Sequence, residues 1–463
     1  MNDFAKKSKS TCEINCQVKL DGTKSSAIAE LEIKQKIRNI KVSTEDSEVK
    51  KQLRKIGEPI CFFGEGPPER RERLKRIYAL MDVEELIQIQ NGDIVKPNNN
   101  ITNQTWFHNG STELMKSRKL ISKYSLKRAK YRNRKLRDIA KMKDSEISVI
   151  LNKQQNILTN LHLECSQIAD SRPISSCQFS PDGDYLATSS WSGLAKIWSY
   201  PDCTEIRTLK GHRDRIGKIV FNPNFKSIRP EKLALATCDH SGLIKLWDFE
   251  SSECIDTITG HEPYRVSSIQ FHPSSQYLST TCYDRSWRLI DLETKKELLH
   301  QEGHSREVHC SEFHPDGSLI CTGSFDSYGR LWDLRTGRCI MFLDGHLKTI
   351  LSIAISPNGY TLATGSADNL VKIWDLRKRS SIYTIPVHNS NVSRVKFYSY
   401  LGSYLVTSSY DKSMKIWSGN NWICLQEING HEDRIIDFDI APDDKSIVSV
   451  SFDRTFKVWK PIL

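Results

Sequence analysis

Apolar and polar positions alternate in short runs from about residue 173 to the end of the sequence. In LSIAISPNGYTLATGSADNLVKIWDL, runs rich in β-branched residues are separated by the turn-forming segments SPNG and ADN. Alternation with a period of two, bounded by turn residues, predicts short β-strands with one buried face. A small sheet of such strands leaves an apolar face in water, so neighbouring sheets must cover it.

The same pattern recurs at a nearly constant interval. Histidines 42 to 49 residues apart begin most units, at His212, His261, His304, His346, His388 and His431. Seven positions end the corresponding strands, namely Trp198, Trp247, Ile290, Trp332, Trp374, Trp417 and Trp459. This interval is typical of the WD40 repeat of about 40–45 residues, in which four strands form one blade. The sequence therefore predicts an all-β fold, a seven-bladed WD40 β-propeller over residues 161–463.

In WD repeats a histidine, a strand serine or threonine, a turn aspartate and a tryptophan form a hydrogen-bonded group within one blade. Three units match this pattern fully, with His304, Asp326 and Trp332, with His346, Asp368 and Trp374, and with His431, Asp453 and Trp459. The first two units instead have Ser192 and Ser241 at the aspartate position, the third has Ile290 at the tryptophan position, and Val387 replaces the glycine of the sixth. We expect these blades to be less rigidly tied.

The last unit lacks its outer strand, because only KPIL follows Trp459. The apolar segment LHLECSQIA, residues 161–169, precedes the first unit. We expect it to supply that strand and to close the ring without an exposed edge.

The excess positive charge lies before the propeller. Residues 1–170 hold 33 Lys+Arg against 22 Asp+Glu, which accounts for the whole net charge of +11. A basic, mostly helical or extended N-terminal arm on a neutral body indicates an anionic partner, usually nucleic acid. The N-terminus lacks the apolar core of a signal peptide, and thirteen cysteines without a CxxC pair favour a reducing compartment. We expect an intracellular, soluble protein.

The most basic segment is 116–143, which holds thirteen Lys/Arg and one acid, Asp138, without Pro or Gly. It can form one helix in which Tyr124 and Tyr131, seven residues apart, share a face with lysines and arginines. Cations with interleaved aromatic rings suit RNA. The candidate RNA-binding residues are Lys116, Arg118, Lys119, Lys123, Tyr124, Lys127, Arg128, Lys130, Tyr131, Arg132, Arg134, Lys135 and Arg137. A solvated basic helix or a nuclear import signal is the alternative.

Pro and Gly residues between 59 and 68 predict an extended path followed by a helix from about Pro68–Glu69. Leu74, Ile77 and Tyr78 then share one helical face, which nothing nearby in the sequence would bury. The candidate protein-docking residues are Gly57, Glu58, Pro59, Ile60, Phe62, Phe63, Gly64, Arg70, Arg71, Leu74 and Ile77. A small subdomain packed on itself or on the propeller is the alternative.

These features divide the chain into five parts. We expect a disordered tail over 1–50, a motif segment over 51–90, a linker over 91–111, a basic helical region over 112–160 and the propeller over 161–463. The periodic histidines are interpreted as structural, since no Ser-His-Asp order, HExxH or GxxxxGK[ST] motif is present. We therefore expect no catalytic residue, no metal and no cofactor.

The segment LRKIGEPICFFGEGPPERRERLKRI, residues 53–77, resembles the splicing-factor motif of one protein family. That family is the WD-repeat subunit of the U4/U6 small nuclear ribonucleoprotein (snRNP), called pre-mRNA processing factor four. The resemblance continues through QTWFHNG, ISKYSLKRA and DSRPISSCQFSPDG and into the blades, including TTCYDRSWRL and WDLRTGRCIMFLDGHLK. It covers roughly residues 51–463, and residues 1–50 show none.

The resemblance implies a non-enzymatic nuclear scaffold of the U4/U6 snRNP and the U4/U6·U5 tri-snRNP, required for splicing. It implies that the arm binds pre-mRNA processing factor three and a nuclear cyclophilin and lies against U4/U6 RNA. Gly57–Arg76 would be the motif segment, whereas the RNA-facing role of 116–143 is inferred from charge. No membrane or small-molecule partner is expected.

Two other classes of WD-repeat protein remain open. The sequence WDLR at 332–335 and 374–377 resembles the ending used by substrate receptors of cullin ubiquitin ligases. A ribosome-assembly protein would instead associate with pre-ribosomal RNA. Charge and repeat period cannot distinguish these two classes from a splicing factor, so the assignment to splicing rests on the motif resemblance.

Overall fold

The structure is a computed structural model that describes residues 37, 40, 42–56, 58–60, 65–80, 111–226, 233–398, 402–419 and 421–461. The chain forms two compact units, Met1–His108 and Asn109–Leu463.

The first unit contains two described helices, α1 (Asp46–Ile56) and α2 (Pro67–Leu80). Prolines occupy the first two positions of α2, where a missing backbone N–H costs nothing, and the Gly66 N–H donates to Glu69 Oε2 at 2.8 Å. The two helices pack through an apolar cluster in which Val49, Leu53 and Leu74 are fully buried. The helix predicted from Pro68–Glu69 is therefore present, beginning one residue earlier.

The second unit begins with two helices, α3 (Thr112–Ala140) and α4 (Asp144–Thr159). The side chain of Ser111 caps α3 by accepting a hydrogen bond from the Leu114 N–H at 3.1 Å. Glu113 in the first turn and Arg137 in the last turn both match the helix dipole. Segment 116–143 is thus helical as far as Ala140, and a short turn at 141–143 separates the two helices.

Strand β1 (Leu161–Ile168) follows α4, and seven four-stranded antiparallel sheets form the blades. Blade 1 consists of β2 (Ile174–Phe179), β3 (Tyr185–Ser190), β4 (Leu194–Ser199) and β5 (Glu205–Lys210). Blade 2 consists of β6 (Ile216–Phe221), β7 (Leu235–Asp239), β8 (Ile244–Trp247) and β9 (Cys254–Ile258). Blade 3 consists of β10 (Val266–Phe271), β11 (Tyr277–Cys282), β12 (Trp287–Asp291) and β13 (Glu297–Gln301).

The remaining blades repeat this order. Blade 4 consists of β14 (Val308–Phe313), β15 (Leu319–Ser324), β16 (Gly329–Asp333) and β17 (Arg338–Leu343). Blade 5 consists of β18 (Ile350–Ile355), β19 (Thr361–Ser366), β20 (Leu370–Asp375) and β21 (Ser380–Pro386). Blade 6 consists of β22 (Val392–Phe397), β23 (Tyr404–Ser409), β24 (Ser413–Ser418) and β25 (Cys424–Asn429). Blade 7 consists of β26 (Ile435–Ile440), β27 (Ile447–Ser451), β28 (Thr455–Pro461) and the early strand β1.

The closing strand lies where the sequence predicts it. Strand β1 pairs antiparallel with β28, with Leu161 opposite Pro461 and Ile168 opposite Thr455. Side chains of blade 7, including Val448 and Phe456, also pack against Phe179 of blade 1 in one buried cluster. Hydrogen bonds therefore complete the last blade, and apolar contacts join it to the first. The predicted closure and the seven-bladed fold are confirmed.

Two predicted boundaries differ from the structure. Helix α1 begins at Asp46 and buries Val49, so ordered structure starts before residue 51. Helices α3 and α4, which make up the predicted helical region 112–160, belong to the same compact unit as the propeller. The predicted linker over 91–111 lies outside the described residues except for Ser111. None of the described helices is long and apolar enough to cross a lipid bilayer.

Candidate functional site

Helix α3 packs one face against the outer part of the propeller. Leu114 and Ile121 are buried in a cluster with Tyr277, Trp287 and Phe313 of blades 3 and 4. Ser117 and Ser125 are also buried, and their small side chains lie on the same helical face. The sequence predicts this helix but not its packing on the propeller, because the apolar positions are few among many cations.

Polar side chains fasten the second half of this contact. The Tyr124 hydroxyl donates to the Pro273 carbonyl at 2.5 Å, and the Arg132 guanidinium donates to both carboxylate oxygens of Asp316, with Nη2 to Oδ2 at 2.7 Å. Arg132 also donates to the Asn358 carbonyl at 2.5 Å and lies over the Tyr360 ring, 5.0 Å from its centre. Burial alone would lower the pKa of Arg132, but Asp316 outweighs it and raises that pKa.

All of these acceptors lie in loops that connect the first and second strands of blades 3, 4 and 5. Pro273 follows β10, Asp316 follows β14 and Asn358 follows β18. Loops at equivalent positions of an up-and-down sheet lie at the same end of the propeller. Helix α3 is therefore anchored across three consecutive blades.

The opposite face of α3 is strongly basic. Nine of the eleven predicted cations are exposed, and seven of them lie on this face, namely Lys116, Lys119, Lys123, Lys127, Lys130, Arg134 and Arg137. Arg128 and Lys135 are exposed nearer the propeller, where Arg128 donates to the Tyr124 hydroxyl at 2.8 Å. The Tyr131 ring is 73% exposed beside them. A face with this charge density and one accessible ring can neutralise phosphates and stack a base.

Three further predicted RNA-binding residues lie on the propeller side of the helix. Arg132 and the Tyr124 hydroxyl are engaged by the propeller, and Arg118 is half-buried. The reason is the helical period, which places 118, 125 and 132 on one side of the helix. Tyr124 and Tyr131 therefore differ in role, although their spacing suggests a shared one.

Helix α1 buries the apolar face of α2, so the prediction that nothing nearby in the sequence would bury this face is wrong. Leu74 lies fully buried against α1, and Ile77 and Tyr78 pack on the same cluster. Arg70 is also buried, bonded to Asp46 of α1, and so does not lie on the opposite, exposed face. This corresponds to the alternative of a small subdomain packed on itself.

A paired arrangement holds the extended segment next to α2. Arg73 donates through Nε and Nη2 to the two Glu65 carboxylate oxygens at 2.6 and 3.0 Å, and to the Pro59 carbonyl at 2.9 Å. Pro59 itself is exposed, and Glu58, Ile60 and Arg71 are partly exposed. The predicted docking residues Gly57, Phe62, Phe63 and Gly64 lie outside the described residues.

The blades contain the hydrogen-bonded group expected of WD repeats. In blade 4 the Trp332 indole N–H donates to Thr322 Oγ1, His304 Nε2 lies 2.9 Å from the same oxygen, and His304 Nδ1 lies 2.9 Å from Asp326. The same contacts join His346, Thr364, Asp368 and Trp374 in blade 5 and His431, Ser449, Asp453 and Trp459 in blade 7.

The expectation of looser ties is wrong for blades 2 and 6. In blade 2, Asp239 at the end of β7 replaces the turn aspartate and lies 2.8 Å from His212 Nδ1, with Thr237 and Trp247 completing the group. In blade 6, His388 contacts Asp411 at 2.9 Å without the preceding glycine. A carboxylate two residues earlier in sequence can reach the same imidazole, because both positions border the same turn.

Blades 1 and 3 lack the complete group. Blade 1 has no histidine; its Trp198 donates to Thr188 at 2.9 Å, and Asp170 accepts instead from the Ser190 and Ser192 hydroxyls. In blade 3, His261 contacts Thr280 at 2.8 Å but lies 3.7 Å from Asp284, and Trp287 Nε1 has no partner among the described residues.

His261, Cys282 and Asp284 of blade 3 lie close enough together to resemble a metal site. The Asp284 carboxylate already accepts from the Ser286 hydroxyl at 2.7 Å, and burial raises the pKa of the Cys282 thiol. Arg288 already lies 2.9 Å from Asp284. The cluster is therefore explained as a variant of the structural group.

Comparison with known proteins agrees with the architecture. Seven segments match the family model described as WD domain, G-beta repeat: 163–199, 203–248, 252–291, 295–333, 337–375, 379–418 and 422–460. Residues 49–77 match the model described as pre-mRNA processing factor 4 (PRP4) like. The U4/U6 small nuclear ribonucleoprotein PRP4 of Saccharomyces cerevisiae is 37% identical over 430 residues, which cover 90% of this chain and 91% of the yeast protein.

This chain belongs to the Prp4 family. Human and mouse U4/U6 small nuclear ribonucleoprotein Prp4 are each 47% identical to it over 259 residues, or 56% of this chain. The aligned part of the chain spans about half the length of these mammalian relatives, 50% in each case. The Prp4-like segment 49–77 coincides with α1, the segment after it and most of α2, so the family motif and the small helical unit are one feature.

Proposed function

We propose that this protein is a non-catalytic scaffold of the spliceosomal U4/U6 snRNP and U4/U6·U5 tri-snRNP, acting in the nucleus in pre-mRNA splicing. The observation that carries the proposal is the presence, in one chain, of the Prp4-like segment and the complete seven-bladed ring. The yeast relative that aligns with 90% of this chain is named as a U4/U6 snRNP protein. The repeated histidines and aspartates are accounted for by the blade groups.

The outer face of α3 is the proposed U4/U6 RNA contact of this scaffold. Its exposed cations, from Lys116 to Arg137, lie along one side of a helix that the propeller holds from the other side. A helix fixed in this way presents its charges without a large ordering cost on binding. Arg132, Tyr124 and Arg118 would act by positioning the helix.

The segment Gly57–Arg76 is the proposed docking site for protein partners, with pre-mRNA processing factor three and a nuclear cyclophilin as the candidates. The exposed Pro59 and partly exposed Ile60 lie beside the Arg73–Glu65 pair, which fixes the chain on α2. Phe62 and Phe63 follow in sequence. Leu74 and Arg70 would support this site from inside the unit.

The structure gives no support to a cullin-receptor function. Arg335 and Arg377 of the two WDLR sequences each lie 3.1 Å from the aspartate of their own motif, Asp333 and Asp375. Arg377 also lies over the Tyr360 ring. Both arginines are thus paired within the propeller.

The proposal is tested by precipitating the tagged full chain from nuclear extract and sequencing the RNA recovered. We expect U4 and U6 together, with part of U5, and co-purified processing factor three. The triple variant Lys123→Glu, Lys127→Glu, Lys130→Glu should reduce U4/U6 recovery about tenfold at moderate salt, since several phosphate contacts are lost.

The matched control is Lys210→Glu, Lys378→Glu, Lys445→Glu, which makes the same charge change at exposed propeller sites. It should leave U4/U6 recovery unchanged. Recovery of pre-ribosomal RNA, of a cullin adaptor, or of no RNA from the unsubstituted protein would overturn the assignment.

A further inference from the structure

One end of the central channel is surrounded by aromatic side chains. The residue directly after the second strand of each blade is aromatic in six blades out of seven: Trp191, His240, Tyr283, Phe325, Tyr410 and Phe452, with Ala367 in blade 5. The backbone N–H of each donates to a carbonyl just before the first strand of its blade, as from Tyr283 to Arg265 at 3.0 Å. We call this set, with the arginines described next, the channel mouth.

Arginines lie against these rings. Arg215 lies over Trp191, with its guanidinium carbon 4.8 Å from the ring centre, Arg265 lies over Tyr283 at 5.1 Å, and Arg434 lies over Tyr410 at 5.7 Å. The rings also touch one another across blades, with Trp191 edge-on to Phe452 at 5.0 Å. The mouth is therefore a circle of flat groups and cations that is interrupted at Ala367 of blade 5, and every aromatic ring in it is partly exposed.

Below this circle lies a cavity of about 370 Å³. Its charged lining consists of Lys218, Arg265, Arg394, Arg434 and one carboxylate, Asp437, which lies 3.4 Å from Arg394. Serine hydroxyls complete the lining, from Ser175, Ser176, Ser267, Ser268 and Ser393. The excess of cations favours an anionic occupant, and the hydroxyls can hydrogen-bond to it.

Three shielded nitrogens around the mouth lack a hydrogen-bond partner among the described residues: Arg265 Nε, His240 Nε2 and His309 Nδ1. Leaving a shielded polar atom unpaired costs free energy, which a ligand bound at the mouth would recover. Burial and nearby arginines lower the pKa of His240 and His309 to about 4. Both imidazoles are therefore neutral near pH 7 and can read the edge of a base.

We propose that the channel mouth binds an unpaired stretch of RNA, with bases stacked on its rings and guanidinium planes and phosphates next to Arg215, Arg265 and Arg434. Flat rings, planar cations and neutral hydrogen-bonding groups together match nucleotides better than the carboxylates of an acidic peptide. The inference rests on the proposed function for the presence of RNA and adds a second, separate contact to it.

The mouth and the basic face of α3 lie at opposite ends of the propeller. The mouth residues follow second strands, whereas the loops that hold α3 follow first strands, and successive loops of an antiparallel sheet alternate between its ends. One RNA contact therefore does not require the other. The two can be tested separately.

The test uses the full chain and a fluorescent single-stranded RNA of about six nucleotides, within the range that one binding platform covers. Anisotropy is measured in the background Lys123→Glu, Lys127→Glu, Lys130→Glu, so that α3 contributes little. We expect Arg265→Ala with Arg434→Ala to weaken binding about tenfold, because two stacked cations are removed. Arg207→Ala with Arg330→Ala is the matched control, since these two arginines lie over rings outside the mouth, Arg207 over Phe249 at 5.2 Å and Arg330 over Phe342 at 5.1 Å.

Photocrosslinking of a thiouridine-containing RNA of the same length to the unsubstituted chain provides a second readout that needs no variant. We expect crosslinked peptides to contain Trp191, Tyr283, Tyr410 or Phe452. Absence of these crosslinks, or equal affinity of the mouth variant and its control, would overturn the inference even if U4 and U6 are recovered from extract. If an acidic peptide binds at the mouth and the RNA probe does not, the mouth belongs to a protein partner and the inference is overturned as well.

Discussion

The blade-2 group shows how one carboxylate can substitute for another. Asp239 is fully buried, and it accepts from His212 and from the Ser241 hydroxyl at 2.7 Å. Burial by itself raises the pKa of Asp239, but the hydrogen bonds from His212 and Ser241 lower it overall. The carboxylate is therefore ionised and fully bonded near pH 7.

We expect Asp239→Ala to lower the free energy of unfolding by about 2 kcal/mol, because the buried His212 loses its acceptor. Thermal unfolding followed by circular dichroism measures this. Asp214→Ala, at an exposed position of the adjacent loop, is the control and should change stability by less than about 0.5 kcal/mol. If the two variants melt alike, Asp239 does not tie the blade.

The aspartates of the other groups predict how stability depends on pH. Burial raises the pKa of Asp326 and Asp368, but their histidine partners lower both overall. A carboxyl whose pKa is lower in the folded state contributes stability above its unfolded pKa of about 4, and that stability is lost as the pH falls further. The melting temperature should thus decline below about pH 4, and Asp326→Asn should make the decline shallower.

At the scale of elements, helix α3 is fixed by a contact that its own sequence does not reveal. Arg132 joins Asp316, Asn358 and Tyr360 on two blades. We expect Arg132→Ala to speed amide hydrogen exchange throughout 112–140 at least tenfold, because Asp316 would be left buried without its cation. Arg134→Ala, at an exposed position two residues later, should leave exchange nearly unchanged and serves as the control.

Strand β1 is the other element with a consequence for stability. Chains beginning at residue 161 or at residue 170 differ only in β1, which forms the outer edge of blade 7. We expect the longer chain to melt cooperatively and the shorter one to aggregate, since β28 would present an unpaired edge. Size-exclusion chromatography and calorimetry compare them, and equal behaviour would show that β1 is dispensable.

The elements also show what could be predicted from sequence. The blades, the closing strand and the start of α2 follow from local signals: period-two alternation, constant spacing and prolines in a first turn. The docking of α3 and the burial of Leu74 depend on contacts between residues far apart in the sequence. The roles of Asp239 and of the aromatic residues of the channel mouth were not predicted, because they become recognisable only when the ends of the second strands of all blades are aligned.

At the scale of the molecule, positive charge and the neutral ring are separate in sequence but share one compact unit from residue 109 onward. We expect RNA affinity to fall steeply with salt, by roughly 0.7 power of salt concentration per phosphate contact. The triple variant of α3 should flatten this slope, whereas the charge-matched triple on the propeller should not. Filter binding between about 50 and 200 mM salt measures both.

The pairing of β1 with β28 also bears on how the protein is made. Leu161 lies opposite Pro461, so the two strands leave the ribosome roughly 300 residues apart, or about 15–60 s at ordinary rates of synthesis. Six blades can form during that interval. Blade 7 cannot, because β26, β27 and β28, the strands with which β1 forms its sheet, have not yet been synthesised. The ring can close only after translation has passed β28, so nascent chains should depend on chaperones most strongly in that final stage.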